Sequence, residues 1–168
     1  MNFMENKYIF KSKVKNHQEI KEKLLQQIAL IPQNPYKVET NDILHTDWNL
    51  PKTMHREYKN LFIETISDHL VSMCHALNVN RYIVGNFWFQ QYGQNNRHGW
   101  HTHPGSNFAN VYFVECSKGA STKFKHFTED CEEGDIISFP AFLPHMSPPI
   151  EDNNRKTVIA FNTDFPTE

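Results

Sequence analysis

Two histidines stand one residue apart in Trp100-His101-Thr102-His103-Pro104-Gly105, and a third, His145, follows the stiff segment Phe139-Pro140-Ala141-Phe142-Leu143-Pro144. Along an extended chain residues i and i+2 share a face, so His101 and His103 can aim two imidazoles at one point. Neutral imidazole is a good ligand for iron, zinc, copper and nickel. His145, fixed just after the apolar run 136–139, would complete a three-nitrogen face. Arg155 opens the last apolar segment, 156–162. A guanidinium entering such a segment must be paired, because burying it alone is costly. The carboxylate of a bound ligand would match its fork, and an internal acid, Asp135 or Glu115, would also serve. A metal with an anionic small molecule beside it is the chemistry these residues could perform together. The remaining histidines offer no such grouping. His17, His45, His55, His69 and His75 lie in or beside the helical half and are read as surface or hydrogen-bonded residues. His126 has no partner at ligand spacing, and His98 is expected near the mouth of the site.

Rigid elements must hold that face together. Residues 7–14 read as a first strand. Asn16 with Glu19 has the spacing of a capping box, and Ile20, Leu24, Ile28 and Ile31 recur at helical spacing until Pro32. Residues 32–52 read as a long connection, and a second helix is expected over 54–77, with Tyr58, Leu61, Phe62, Ile66, Leu70, Met73 and Leu77 as its apolar stripe. Past Asn80 the pattern turns β-branched and aromatic: strands are expected over 82–92, 100–103, 109–115, 121–127, 135–139 and 156–162, with turn residues between them. Many short strands mean a sandwich or barrel. The expected fold is therefore mainly β with flanking helices, a double-stranded β-helix (jelly roll) core with N-terminal helices packed outside. One domain is expected over 1–168, with a helical support region at 1–80 and the jelly roll at 81–165.

Bulk properties narrow the function. A chain of 168 residues can bury a substantial core, and 13 Phe, 6 Tyr and 3 Trp suit a sheet-rich interior. A net charge of −2 provides no field to gather nucleic acid. Cys74, Cys116 and Cys131 form no CxxC pair and read as reduced thiols, and the N-terminal residues lack the apolar core of a signal peptide. No apolar run approaches the length of a membrane span. A cytoplasmic protein, monomeric or homodimeric, is the expectation.

The ordered set of motifs, His-x-His, a distal His in Phe-Pro-x-x-x-Pro-His, and Arg ten residues on, resembles the iron(II)- and 2-oxoglutarate-dependent oxygenases. It is most similar to the small bacterial and phage group in their prolyl-hydroxylase-like branch, which share the Trp-His-x-His-Pro-Gly-Ser stretch and a following strand like Val111-Tyr112-Phe113. The likeness covers residues 86–162. It implies that His101, His103 and His145 hold Fe(II), that Arg155 binds the distal carboxylate of 2-oxoglutarate, and that Tyr92 lines the co-substrate pocket. It further implies hydroxylation of a C–H bond, with a prolyl or other peptide side chain as the default substrate. Trp88 and Gln90 share a strand face with Tyr92 and are expected at the cavity, core packing being an equal reading for Trp88. Two positions depart from the family pattern. Most relatives carry Asp or Glu where His103 stands, which leaves either three neutral ligands here or His103 as a pocket residue with a water in its place, and Phe113 replaces a common tyrosine. A cupin-type three-histidine metalloprotein and a non-catalytic jelly-roll binding module remain as other readings; the glutamate expected soon after a cupin His-x-His is missing, since the next one is Glu115.

Overall fold

The computed structural model describes residues 8–116 and 120–167. Two six-stranded antiparallel sheets face one another, and two helices cover the outer side of the first. The chain opens with β1 (Phe10–Lys13) and α1 (His17–Ile28), then passes through three short strands, β2 (Tyr36–Val38), β3 (Asn41–Ile43) and β4 (His45–Thr46), before α2 (Lys59–Leu77). The rest is β5 (Ile83–Tyr92), β6 (Arg97–His101), β7 (Phe108–Glu115), β8 (Ser121–Phe124), β9 (Thr128–Asp130), β10 (Asp135–Pro140), β11 (His145–Ser147) and β12 (Lys156–Asp164). The major sheet has the order β1-β10-β7-β12-β5-β4 and the minor sheet β2-β3-β6-β11-β8-β9. This is the mainly β, jelly-roll arrangement that the strand pattern predicts. No helix among the described residues is long and apolar enough to cross a membrane.

Period-two alternation divides each long strand between two cores. Along β7, Phe108, Tyr112 and Val114 face the helices, whereas Ala109 and Phe113 face the minor sheet. In β12, Ile159 and Phe161 face the helices and Val158 the interior. The helix side is built on fully buried Leu24, Ile28, Tyr58, Phe62, Ile66 and Leu70, with Phe62 edge-on to Phe161 at 5.2 Å. Burial of each such side chain contributes about 1.5–3 kcal/mol. The stripe Phe62, Ile66, Leu70 and Met73 repeats every three or four residues and fixes which face of α2 meets the sheet. Asn78 ends that helix in the left-handed conformation, and the following amide returns to the Cys74 carbonyl at 3.0 Å.

Several details differ from the sequence reading. Asn16 takes a left-handed φ of 54° and makes no side-chain cap, so the capping-box spacing goes unused. Helix α2 starts at Lys59, because 54–58 is occupied by a turn that places Arg56 and Tyr58 on Asp47. The 32–52 connection contains β2, β3 and β4, and these strands extend the sheets through pairings with β6 and β5. Segments so short carry too few residues to show alternation. The expected 121–127 strand is a hairpin, β8 and β9. Gly99 permits the approach of β6 to the turn before β3, since a Cβ there would lie 2.8 Å from Thr40 Cβ and 2.9 Å from its carbonyl oxygen.

Candidate metal centre and co-substrate pocket

His101 ends β6, and His145 begins β11 directly opposite it in register. His103 lies two residues beyond the strand, tied down by its amide, which donates to the Ala141 carbonyl at 2.9 Å. One ring nitrogen from each of the three histidines lies within 4.8 Å of the others. Their rings pack at 4.2 Å (His101–His145) and 5.1 Å (His103–His145).

Hydrogen bonding decides which nitrogen each ring presents. His101 Nδ1 meets the Gly99 carbonyl at 2.8 Å, His145 Nδ1 the Leu143 carbonyl at 2.9 Å, and His103 Nδ1 the Asn162 Oδ1 at 2.6 Å. An amide or peptide oxygen only accepts, so each Nδ1 carries the proton and donates it. Each Nε2 is thereby left as a lone pair, the form a metal requires. His103 Nε2 is buried and has no partner. Burial lowers the pKa of all three rings, that of His103 to about 4, and so favours the neutral ligand form. The donor set fits a first-row transition metal such as iron, with three nitrogens on one side and the rest of the coordination sphere left to small molecules. Among the described residues no acid lines this face or the cavity beside it, so an anionic co-ligand would balance a divalent ion here.

His98 is stacked on His101 at 3.9 Å but stands outside the ligand group. Gln90 Nε2 donates to its Nδ1 at 3.2 Å, and Tyr92 Oη donates to Gln90 Oε1 at 2.8 Å. Tyr92, Gln90 and His98 thus form one wall of a narrow cavity that leads away from the histidines. Trp88 is buried, lies parallel to His103 at 5.7 Å, and lines the cavity, so its packing and lining roles coincide.

The cation inside this cavity is Lys156. Its side chain is buried, its Nζ donates to Ser147 Oγ at 2.7 Å, and it sits 5.1 Å from the Tyr92 ring centroid and 5.6 Å from that of Phe113. Desolvation brings its pKa down to about 8. Arg155 lies outside: its side chain is half exposed, and Nε pairs with Glu115 Oε1 at 2.5 Å, the internal acid named above as its other partner. Adjacent residues of an extended chain face opposite sides, so with Lys156 opening β12 toward the interior, Arg155 just before it points outward. Phe113, where a tyrosine is common, faces Lys156 with a ring instead of a hydroxyl. Sequence reasoning missed Lys156, Ser147 and Asn162. The signal for Lys156 was present: it shares the parity of Val158, Ala160 and Asn162, all of which face the interior.

No family model and no curated protein matches the sequence. Solved structures do resemble it. A viral collagen prolyl hydroxylase from Paramecium Bursaria Chlorella virus-1, solved as a 2OG complex, is 16% identical with a TM-score of 0.63, over 94% of this chain and 96% of that one. A prolyl-4-hydroxylase from Pseudomonas putida is 10% identical with a TM-score of 0.66, over 96% and 95%. A prolyl hydroxylase from Trichoplax adhaerens, in complex with a peptide fragment of a hypoxia inducible factor oxygen degradation domain, is 13% identical with a TM-score of 0.62, over 95% and 85%. At such identities the likeness establishes the fold: this chain has the jelly-roll architecture of the 2-oxoglutarate- and iron(II)-dependent oxygenases.

Proposed function

We propose that the protein is an iron(II)- and 2-oxoglutarate-dependent oxygenase that hydroxylates a C–H bond, with succinate and carbon dioxide as co-products. The observation that carries this reading is the conjunction of three histidines, each with Nδ1 already donated, and a buried lysine at the far end of the adjoining cavity. His101, His103 and His145 would hold the metal. Lys156, assisted by Ser147 and Tyr92, would receive the distal carboxylate of 2-oxoglutarate, a role for which Arg155, turned outward onto Glu115 just before β12, is poorly placed. The metal and co-substrate, when bound, supply the oxidant; the chain supplies orientation and a water-poor interior. Gly99, Leu143 and Asn162 fix the imidazole tautomers. Trp88 and Phe113 exclude water on either side, and the dianionic co-substrate offsets the charge that three neutral ligands leave on the metal. A three-histidine cupin without 2-oxoglutarate leaves the buried ammonium without a role. A prolyl or other peptide side chain is the substrate favoured by the prolyl hydroxylases of the same fold.

The test is anaerobic addition of Fe(II) and then 2-oxoglutarate, monitored for the visible charge-transfer band of a chelated 2-oxo acid. A band requiring both components, and absent in His145→Ala, is expected. Bound iron without a band would sink the co-substrate assignment, and no bound iron would sink the whole reading.

A further inference from the structure

Two cavities meet on the open side of the metal face. The inner one, about 410 Å³, runs from His101 and His103 past Tyr36, Trp88 and Trp48 and contains no charged side chain in its lining. The outer one, about 590 Å³, shares Trp48, Asn86 and Trp88 with it and is rimmed by Lys52, His55, Arg56 and Lys59. Trp48 and Trp88 form the saddle between them, edge to face at 4.4 Å, and Trp48 is half exposed. One acid, Asp47, lines the outer cavity, and it is fully buried and spent. It accepts from Arg56 Nε at 2.6 Å, Tyr58 Oη at 2.7 Å and the Phe89 amide at 2.9 Å. His55 is paired with Glu57. Lys52 and Lys59 are in no ion pair among the described residues. The groove is therefore neutral and aromatic near the metal and cationic at its far end.

Resting on the oxygenase reading, we infer that the primary substrate is a peptide segment that lies across the Trp48–Trp88 saddle with an acidic side chain, carboxylate or phosphate, seated on Lys52 and Lys59. The neutral half suits a backbone: the Asn86 carboxamide can both donate to and accept from peptide groups, Asn41 and Asn162 offer their amide N–H groups while their Oδ1 atoms hold the Gly99 amide and His103 Nδ1, and the tryptophans cover apolar surface. The cations gather at one end only. A nucleic acid strand would need positive charge along the groove, and the chain's net charge of −2 runs against that.

The experiment uses the full chain loaded anaerobically with Fe(II) and 2-oxoglutarate. Three capped octapeptides with a central proline are titrated by tryptophan fluorescence: one has two glutamates after the proline, one has two glutamines, and one has phosphoserine. The glutamate peptide is expected to bind at least ~10-fold tighter than the glutamine peptide, with the preference weakened at high salt. Tighter binding of the phosphoserine peptide would name phosphate as the anion, and tighter binding of the glutamate peptide would name carboxylate. The double variant K52Q/K59Q, at two exposed positions, should erase the preference and leave the glutamine peptide unaffected. Equal binding of acidic and neutral peptides overturns the inference, as does a preference that survives in K52Q/K59Q, no binding of either acidic peptide, or equal competition by oligothymidylate. The charge-transfer band in the same sample separates the two levels: a band without peptide preference defeats this inference alone, and preference without a band defeats the oxygenase reading alone.

Discussion

The layer between helices and major sheet and the interior between the two sheets each hold a histidine whose pKa is pushed down to about 4 by desolvation, and they use it in opposite ways. On the helix side, His69 has both ring nitrogens engaged, by Ser12 Oγ at 2.7 Å and by Ser138 Oγ at 2.7 Å, and Ser138 in turn donates to Asn110. That network joins α2 to β1, β10 and β7. Between the sheets, His103 has one nitrogen engaged and the other buried without a partner, and two more histidines aim at the same point. Burial is therefore no mark of function; an unmet hydrogen-bonding need shared by several side chains is. His17 sharpens the point, since its Nε2 is also without a side-chain partner but stands alone, beside the Tyr112 hydroxyl on Nδ1.

Substitution should pull the two regions apart. His145→Ala should lose bound iron almost completely, measured by metal analysis after anaerobic loading, and keep a cooperative thermal transition. His69→Ala should do the reverse. Taking the ring away from Ser12 and leaving Ser138 with Asn110 alone in a packed layer is expected to cost about 2–4 kcal/mol in denaturant unfolding, with iron stoichiometry unchanged under native conditions. If His69→Ala alone lost iron, the division between the two layers would be wrong.

The sharpest comparison is between Lys156, the first residue of β12, and Arg155 just before it. Lys156→Met should weaken 2-oxoglutarate binding about 100-fold or more, the scale expected when one partner of a buried charge pair is removed. Arg155→Ala, on the solvent side, should change it by less than about 3-fold, as for an exposed ion pair. Titration of the charge-transfer band measures both. Equal losses would return the carboxylate to Arg155. A smaller effect belongs to Asn162→Ala, which removes the acceptor that fixes His103: metal affinity should fall about 10–100-fold, the usual consequence of losing a hydrogen-bond partner behind a ligand.

Much of this was legible in the sequence. The His-x-His spacing and Pro-flanked His145 announced the histidine cluster, and the β-branched and apolar runs over 82–92 and 156–162 announced the long paired strands β5 and β12. Three things escaped. The short strands β2, β3 and β4 have too few residues to alternate. The cation was assigned by its distance along the chain from His145, whereas strand parity, counted back from Asn162 through Ala160 and Val158, selects Lys156. Asn162 itself looked like an ordinary strand residue, because its task depends on a ring distant in sequence and brought beside it only by folding. Local pattern reports which face a residue takes; it does not report which remote side chain waits there.

The finest test of the interior uses pH. Lys156 has an ordinary pKa of 10.5, lowered by burial to about 8 in the folded chain. Between about 8 and 10.5 the unfolded chain holds a proton that the folded chain has released, so the stability of the ligand-free protein should gain a contribution that rises with pH across this window. Co-substrate binding should run the other way. An anion needs the ammonium, and above about pH 8 the free protein must take up a proton to provide it. Affinity for 2-oxoglutarate should then fall with pH, by at most about 10-fold per unit, the limit for one coupled proton. Both slopes should disappear in Lys156→Met and persist in Arg155→Ala. Calorimetric titration of 2-oxoglutarate in two buffers of different ionisation enthalpy reads the same coupling as a proton taken up on binding. If affinity stays flat from pH 7.5 to 9.5, the ammonium is already held charged, and the burial that distinguishes Lys156 from Arg155 would not be acting on its protonation.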